Sequence, residues 1–206
     1  LSPTHYNITD KDDLQRALDR SSTGDFIFMR GYHTIDIGDM MISRGIASII
    51  NGAPFFSHIG MIVKINGVAH VLENAMAEHH CVHANKIKSG VKLTNAYNMI
   101  NTYYGKAYLF RNNLHNYVRD EDISPFMDKY GHLLFLENNM ICVTTICMFL
   151  QFVNAFKPGT NFMNINEFNN PELYTCDFKN VETVELKNKY YYDTIKPTYN
   201  EKSIAS

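Results

Sequence analysis

Ser57-His58-Ile59-Gly60-Met61-Ile62-Val63 decides how this 206-residue chain is read. A histidine opens an apolar run, Asn66-Gly67 interrupts it, and a second apolar run climbs from Val68 to Glu73. An Asn-Gly dipeptide suits a type I′ turn, because both central residues need positive φ. The stretch therefore predicts an antiparallel pair of strands, about 58–65 and 68–74. Far downstream, Cys142 heads a run that is apolar nearly all round as far as Phe156, the pattern of a buried helix. A thiol, an imidazole and a carboxylate are the parts of a cysteine nucleophile system.

The rest of the chain alternates helix and strand signals. Asp10 can cap a helix through Arg20, with Leu14, Ala17 and Leu18 on one stripe. Asp25 to Arg30 predicts a strand, and Gly38-Asp39 a helix running to Ile50. His79 to Gly90 is polar and predicts a loop. Val91–Thr94 and Lys106–Arg111 predict strands around a helix over Asn95–Tyr103. Ser124-Pro125 opens a short helix, since proline in the first turn loses no hydrogen bond. Beyond Pro158-Gly159 the chain is rich in Asn and Tyr, with one strand at Val181–Leu186 and a frayed end. No repeat or linker divides it. The expectation is a single α+β domain over residues 1–206, with a core of about 21–156 and a C-terminal extension from about 157.

Bulk properties narrow the function classes. The chain is 45% hydrophobic and 19% charged, with 19 Lys+Arg against 21 Asp+Glu. That balance, with no basic run, argues against a nucleic-acid partner. The longest apolar stretch is interrupted by Thr144, Thr145, Gln151 and Asn154, so it does not predict a membrane span. The 4 cysteines (Cys81, Cys142, Cys147 and Cys176) form no Cys-x-x-Cys pair. Sparse cysteines point to free thiols in a reducing compartment such as the cytoplasm. The chain starts at Leu1, which reads as a trimmed or processed form and leaves a removed signal or anchor segment open.

A helix N-terminus offers unpaired N–H groups and partial positive charge, both of which favour a thiolate at Cys142. The same groups suit a developing oxyanion. Cys147 fits a small buried apolar residue. Either Glu73 or His70, on the strand beside His58, could orient its imidazole. They fall on opposite faces of the ribbon, so at most one serves. His79, Cys81 and His83 alternate and are metal-capable, but no second ligand pair follows, and the segment reads as a solvated loop. The apolar residues Met40 to Ile50, with Phe55 and Phe56, suit core packing. A sharper expectation makes them a wall of an acyl-chain groove.

Gly24-Asp25-Phe26-Ile27-Phe28, then Phe56 to Val63, then Val71-Leu72-Glu73-Asn74-Ala75, then Cys142 at a helix start, resembles a known family. It is similar to the circularly permuted papain-like thiol hydrolases of the NlpC superfamily. Within that superfamily it resembles the YiiX-type branch, which includes poxvirus proteins, and more distantly lecithin:retinol acyltransferase. The resemblance covers roughly Ser21 to Phe156. It implies a permuted papain-like core, with an antiparallel sheet packed on the cysteine helix. It also implies Cys142 as nucleophile, His58 as base and Glu73 as the orienting residue, with His70 matching the third position of the retinol-type relatives. The chain departs from the YiiX pattern after the nucleophile, where Val143-Thr144 replaces Ser-Glu.

The expected function is a cysteine hydrolase or acyltransferase acting on an amide, ester or thioester carbonyl, with no cofactor and no metal. The expected substrate is a peptide, a lipid or an acylated protein, with a membrane surface left open as a partner. The alternative is a binding or structural module, for instance in a virus particle, that keeps the fold without catalysis.

Overall fold

The computed structural model describes residues 8–31, 56–137, 141–160 and 165–191. The expected helix over residues 38–50 and the last residues of the chain lie outside this set. Helix α1 (Ile8–Arg20) precedes strand β1 (Phe26–Gly31), and β2 (His58–Ile65), β3 (Val68–Cys81) and β4 (Lys86–Asn95) follow. Helix α2 (Ala96–Thr102) leads into β5 (Gly105–Asn112). Helices α3 (Ile123–Tyr130) and α4 (Cys142–Phe152) come next, then β6 (Asn180–Leu186). The strands form one antiparallel sheet in the order β4-β3-β2-β1-β5-β6. The molecule is thus α+β, as expected.

Alternation along the central strands explains why they read as unbroken apolar runs. Phe26 and Phe28 of β1 face one side with Ile59, Met61 and Leu72, and pack against Ile146, Phe149 and Leu150 of α4. Ile27 and Met29 face the other side with Ile62 and Val71, and pack against Leu14 and Leu18 of α1 and Ile100 of α2. Helices cover both faces, so both parities of the strand must be apolar.

The β2–β3 turn forms as the dipeptide predicts, with φ 51° at Asn66 and 78° at Gly67. Gly60 has a packing role: a Cβ there would lie 2.3 Å from the Val71 side chain on the neighbouring strand.

The expected loop over residues 79–90 is corrected. Strand β3 continues to Cys81, β4 begins at Lys86, and His79 pairs with Lys88 across a two-stranded extension. The extension is polar because it is largely exposed, and Asn85 at φ 51° helps to turn it. A register shift between Ala75 and His79 separates it from the regular ladder. Helix α1 also starts earlier than expected, at Ile8, so Asp10 lies inside it. In the C-terminal region, Ile165, Phe168, Tyr174 and Phe178 pack into the α4 side of the core, and β6 adds to the sheet beside β5.

Candidate active site

The first residue of β2, the middle of β3 and the first residue of α4 meet at one place. The start of β2 is fixed by Ser57, whose backbone N–H donates to Met29 O at 2.9 Å. His58 then pairs with Met29 across the ladder. Its Nε2 lies 2.9 Å from Glu73 Oε2. The Cys142 thiol lies beside the same ring and interacts with it, favouring its charged form. With Nε2 on the carboxylate, Nδ1 is the nitrogen left for sulfur. The tautomer that fits is Nε2–H donating to Glu73 and Nδ1 facing the thiol.

Helix α4 is aimed at this point by two hydrogen bonds. The Ile141 N–H donates to Thr144 Oγ1 at 2.7 Å, which caps the helix start. Asn74, next to Glu73 on β3, donates from Nδ2 to Thr145 Oγ1 at 3.0 Å and ties strand to helix. Thr144 thus closes the start of the helix that carries Cys142.

The electrostatics reinforce the geometry. Burial disfavours the His58 imidazolium, but interactions with Cys142 and Glu73 outweigh it, and the histidine is held well above its ordinary 6.5. Burial would raise the Glu73 carboxyl, yet His58, His79 and Lys92 pull it far below its ordinary 4.5. The buried carboxylate therefore favours the charged ring, the form that His58 reaches when it takes the thiol proton.

Two neighbours of Glu73 were missed by the sequence reading. His79 Nδ1 lies 3.4 Å and Lys92 Nζ 3.7 Å from Glu73 Oε1. Lys92 sits directly across the ladder from Glu73. The available signal was a lysine between Val91 and Leu93 in a strand whose neighbours are apolar.

The rival orienting residue is elsewhere. His70 pairs with Val63, near the far end of β2, and its Nδ1 donates to Val68 O at 2.9 Å. Burial lowers its pKa. The structure therefore brings Glu73, and not His70, to the position beside His58.

The remaining thiols are placed differently. Cys81 Sγ accepts from Leu93 N–H at 3.5 Å. Cys147 contacts Thr160 O at 3.6 Å, and burial pushes its thiol up to about 11. Burial also raises Cys176. Among the described residues, no three His, Cys, Asp or Glu side chains are grouped to hold a metal ion. His83, one of the metal-capable residues, lies 3.0 Å from Asp128 instead. The proposed groove wall at residues 40–50 and Phe55 lies outside the described residues. Phe56 packs on Phe28 at a ring distance of 5.2 Å. Among the described residues, no helix is long and apolar enough to cross a membrane.

No family model matches the chain, and no curated protein matches it. Among solved structures it is similar to the metalloprotein YiiX from Escherichia coli O157:H7, at 14% identity. The match covers 86% of this chain and 94% of that one, with a TM-score of 0.41. That is a distant structural relationship.

Proposed function

We propose that the protein is a cysteine-dependent acyl-transfer enzyme, a hydrolase or acyltransferase with a permuted papain-like core. The observation that carries the reading is the buried series Cys142–His58–Glu73, in which the imidazole is hydrogen bonded to the carboxylate and interacts with the thiol. In the first step the thiol proton passes to His58 Nδ1, and sulfur attacks the carbonyl carbon of an amide, ester or thioester. The N–H groups opening α4 face the developing oxyanion. Collapse breaks the bond to the leaving group, which takes the proton from His58, and a thioester to Cys142 remains. Water or another acceptor then gives a proton to His58 and attacks that thioester, which releases the acyl group and restores the thiol. Glu73 keeps the imidazole in one tautomer and stabilises its charged form without itself taking the proton.

The test is to mix the protein with an activated acyl ester, quench early and map peptides by mass. An acyl group on Cys142, absent from His58→Ala, supports the reading. Acylation confined to surface lysines, identical in both proteins, would contradict it.

A second reading, a binding module that keeps the fold, draws on the burial of the site: Cys142 is 0%, His58 6% and Glu73 1% exposed. A module of this kind would give no Cys142 adduct while folding normally.

A further inference from the structure

Lysine is almost never fully buried unless it is paired, and Lys92 has no exposed surface. Its ammonium reaches Ala75 O at 3.3 Å, Gly90 O at 3.5 Å and Glu73 Oε1 at 3.7 Å. The two Glu73 oxygens therefore have separate partners, with Oε2 on His58 and Oε1 on Lys92 and His79. The charged and titratable groups around this carboxylate come from every neighbouring element. They are His58 on β2, His79 on β3, Lys92 on β4 and, through His58, Cys142 on α4. Lys92 in turn acts on Lys88, which also lies within the field of Cys81.

We propose that Lys92 is a positioning residue for the Cys142–His58 couple and acts through Glu73. Its ammonium, 3.7 Å from Oε1, attracts that oxygen electrostatically and so favours the orientation in which Oε2 faces the imidazole. It also offsets a negative charge that a Cys142 thiolate would otherwise face across a single ring. The idea rests on the acyl-transfer reading above and deepens it. An exposed lysine could not do this, because water would screen the charge and the side chain would wander.

The experiment is the pH profile of Cys142 alkylation in wild type, Lys92→Met, Glu73→Gln and the double variant. In Lys92→Met the acid limb should move up by about half a unit or more, because the Glu73 charge is then no longer offset and disfavours the ionised thiol. In the Glu73→Gln background the same substitution should add nothing. A lysine with a structural role alone would lower Tm and leave the limb in place. That result, or an equal shift in both backgrounds, would overturn the proposal.

If Lys92→Met does not fold, ¹⁵N-labelled wild-type protein decides the matter. The Lys92 Nζ resonance should be protected from solvent and should move when Cys142 is alkylated, and a resonance that ignores alkylation sinks the proposal. The two ideas fail separately. Wild-type labelling that is indifferent to His58→Ala removes the acyl-transfer reading and this proposal with it. His58-dependent labelling with a silent Lys92 removes the positioning role alone.

Discussion

Cys142 and Cys147 are buried thiols on one helix, but Cys142 opens it while Cys147 lies in its interior, and their partners differ. Cys147 meets a carbonyl oxygen, and burial pushes its thiol up to about 11. Cys142 meets an imidazole backed by a carboxylate. Burial alone makes a thiol inert, because the thiolate loses its water. A thiol becomes useful when its surroundings supply a proton acceptor and stabilise the charge that forms there. The contrast comes from the strand end that α4 packs against and from the place of Cys142 at the opening of the helix.

The largest test of this contrast is to remove each sulfur in turn. Cys142→Ser should lower acyl-ester turnover at least about a thousandfold, the scale seen when a nucleophile is lost. Cys147→Ser should leave turnover within about twofold, since it touches nothing in the reaction. Comparable losses in steady-state assays would erase the distinction.

Glu73→Gln comes next. It leaves Lys92 buried without its carboxylate, and breaking a buried pair from one side costs about 3 kcal/mol, readable by urea denaturation. The pH dependence sharpens this. The folded-state carboxyl lies below its ordinary 4.5, so its stabilising contribution is full above that value and is lost as pH falls towards the folded value. His58 is raised above 6.5, so its contribution is full below that value and is lost as pH rises through the raised one. Glu73→Gln should therefore flatten the acid side of a Tm-against-pH curve. A variant as stable as wild type, with an unchanged acid slope, would mean the carboxylate is not held as described.

Gly60→Ala should cost about 1–3 kcal/mol, because the new methyl meets Val71 at 2.3 Å and the strands must part. The movement would reach His58 two residues away, so Cys142 labelling should slow as well. A neutral Gly60→Ala would place the glycine outside the site's support. The smallest effect belongs to His70→Asn, about 1 kcal/mol for the lost hydrogen bond and with no change in Cys142 labelling, because its ring serves a nearby backbone carbonyl.

The β2–β3 hairpin was legible because local chemistry and burial agree there: Asn66-Gly67 dictates the turn, and the apolar run dictates burial. Helix α4 was legible for the same reason. The β3–β4 extension was not, because Glu78-His79-His80 and Lys86-Ile87-Lys88 carry loop-like composition while forming an exposed ribbon. Composition reports burial, and a ribbon in water has little to report. Within the site, Cys142 and His58 could be picked out from the sequence, but the choice between Glu73 and His70 could not. Both are polar residues on the right strand, and only the register and the path of β3 decide between them. Lys92 was invisible for a related reason. A strand lysine ordinarily reaches water, and only the pairing of β3 with β4 sets this one against Glu73.

The central claim is that His58 activates Cys142 while Cys147 stays inert. The most direct measurement is the alkylation rate of each cysteine against pH, read by peptide mass mapping in wild type and His58→Ala. The account predicts rapid labelling of Cys142 below neutral pH, slowed about a hundredfold in His58→Ala, with Cys147 slow in both proteins. Equal, slow labelling of Cys142 and Cys147 that ignores His58 would contradict it.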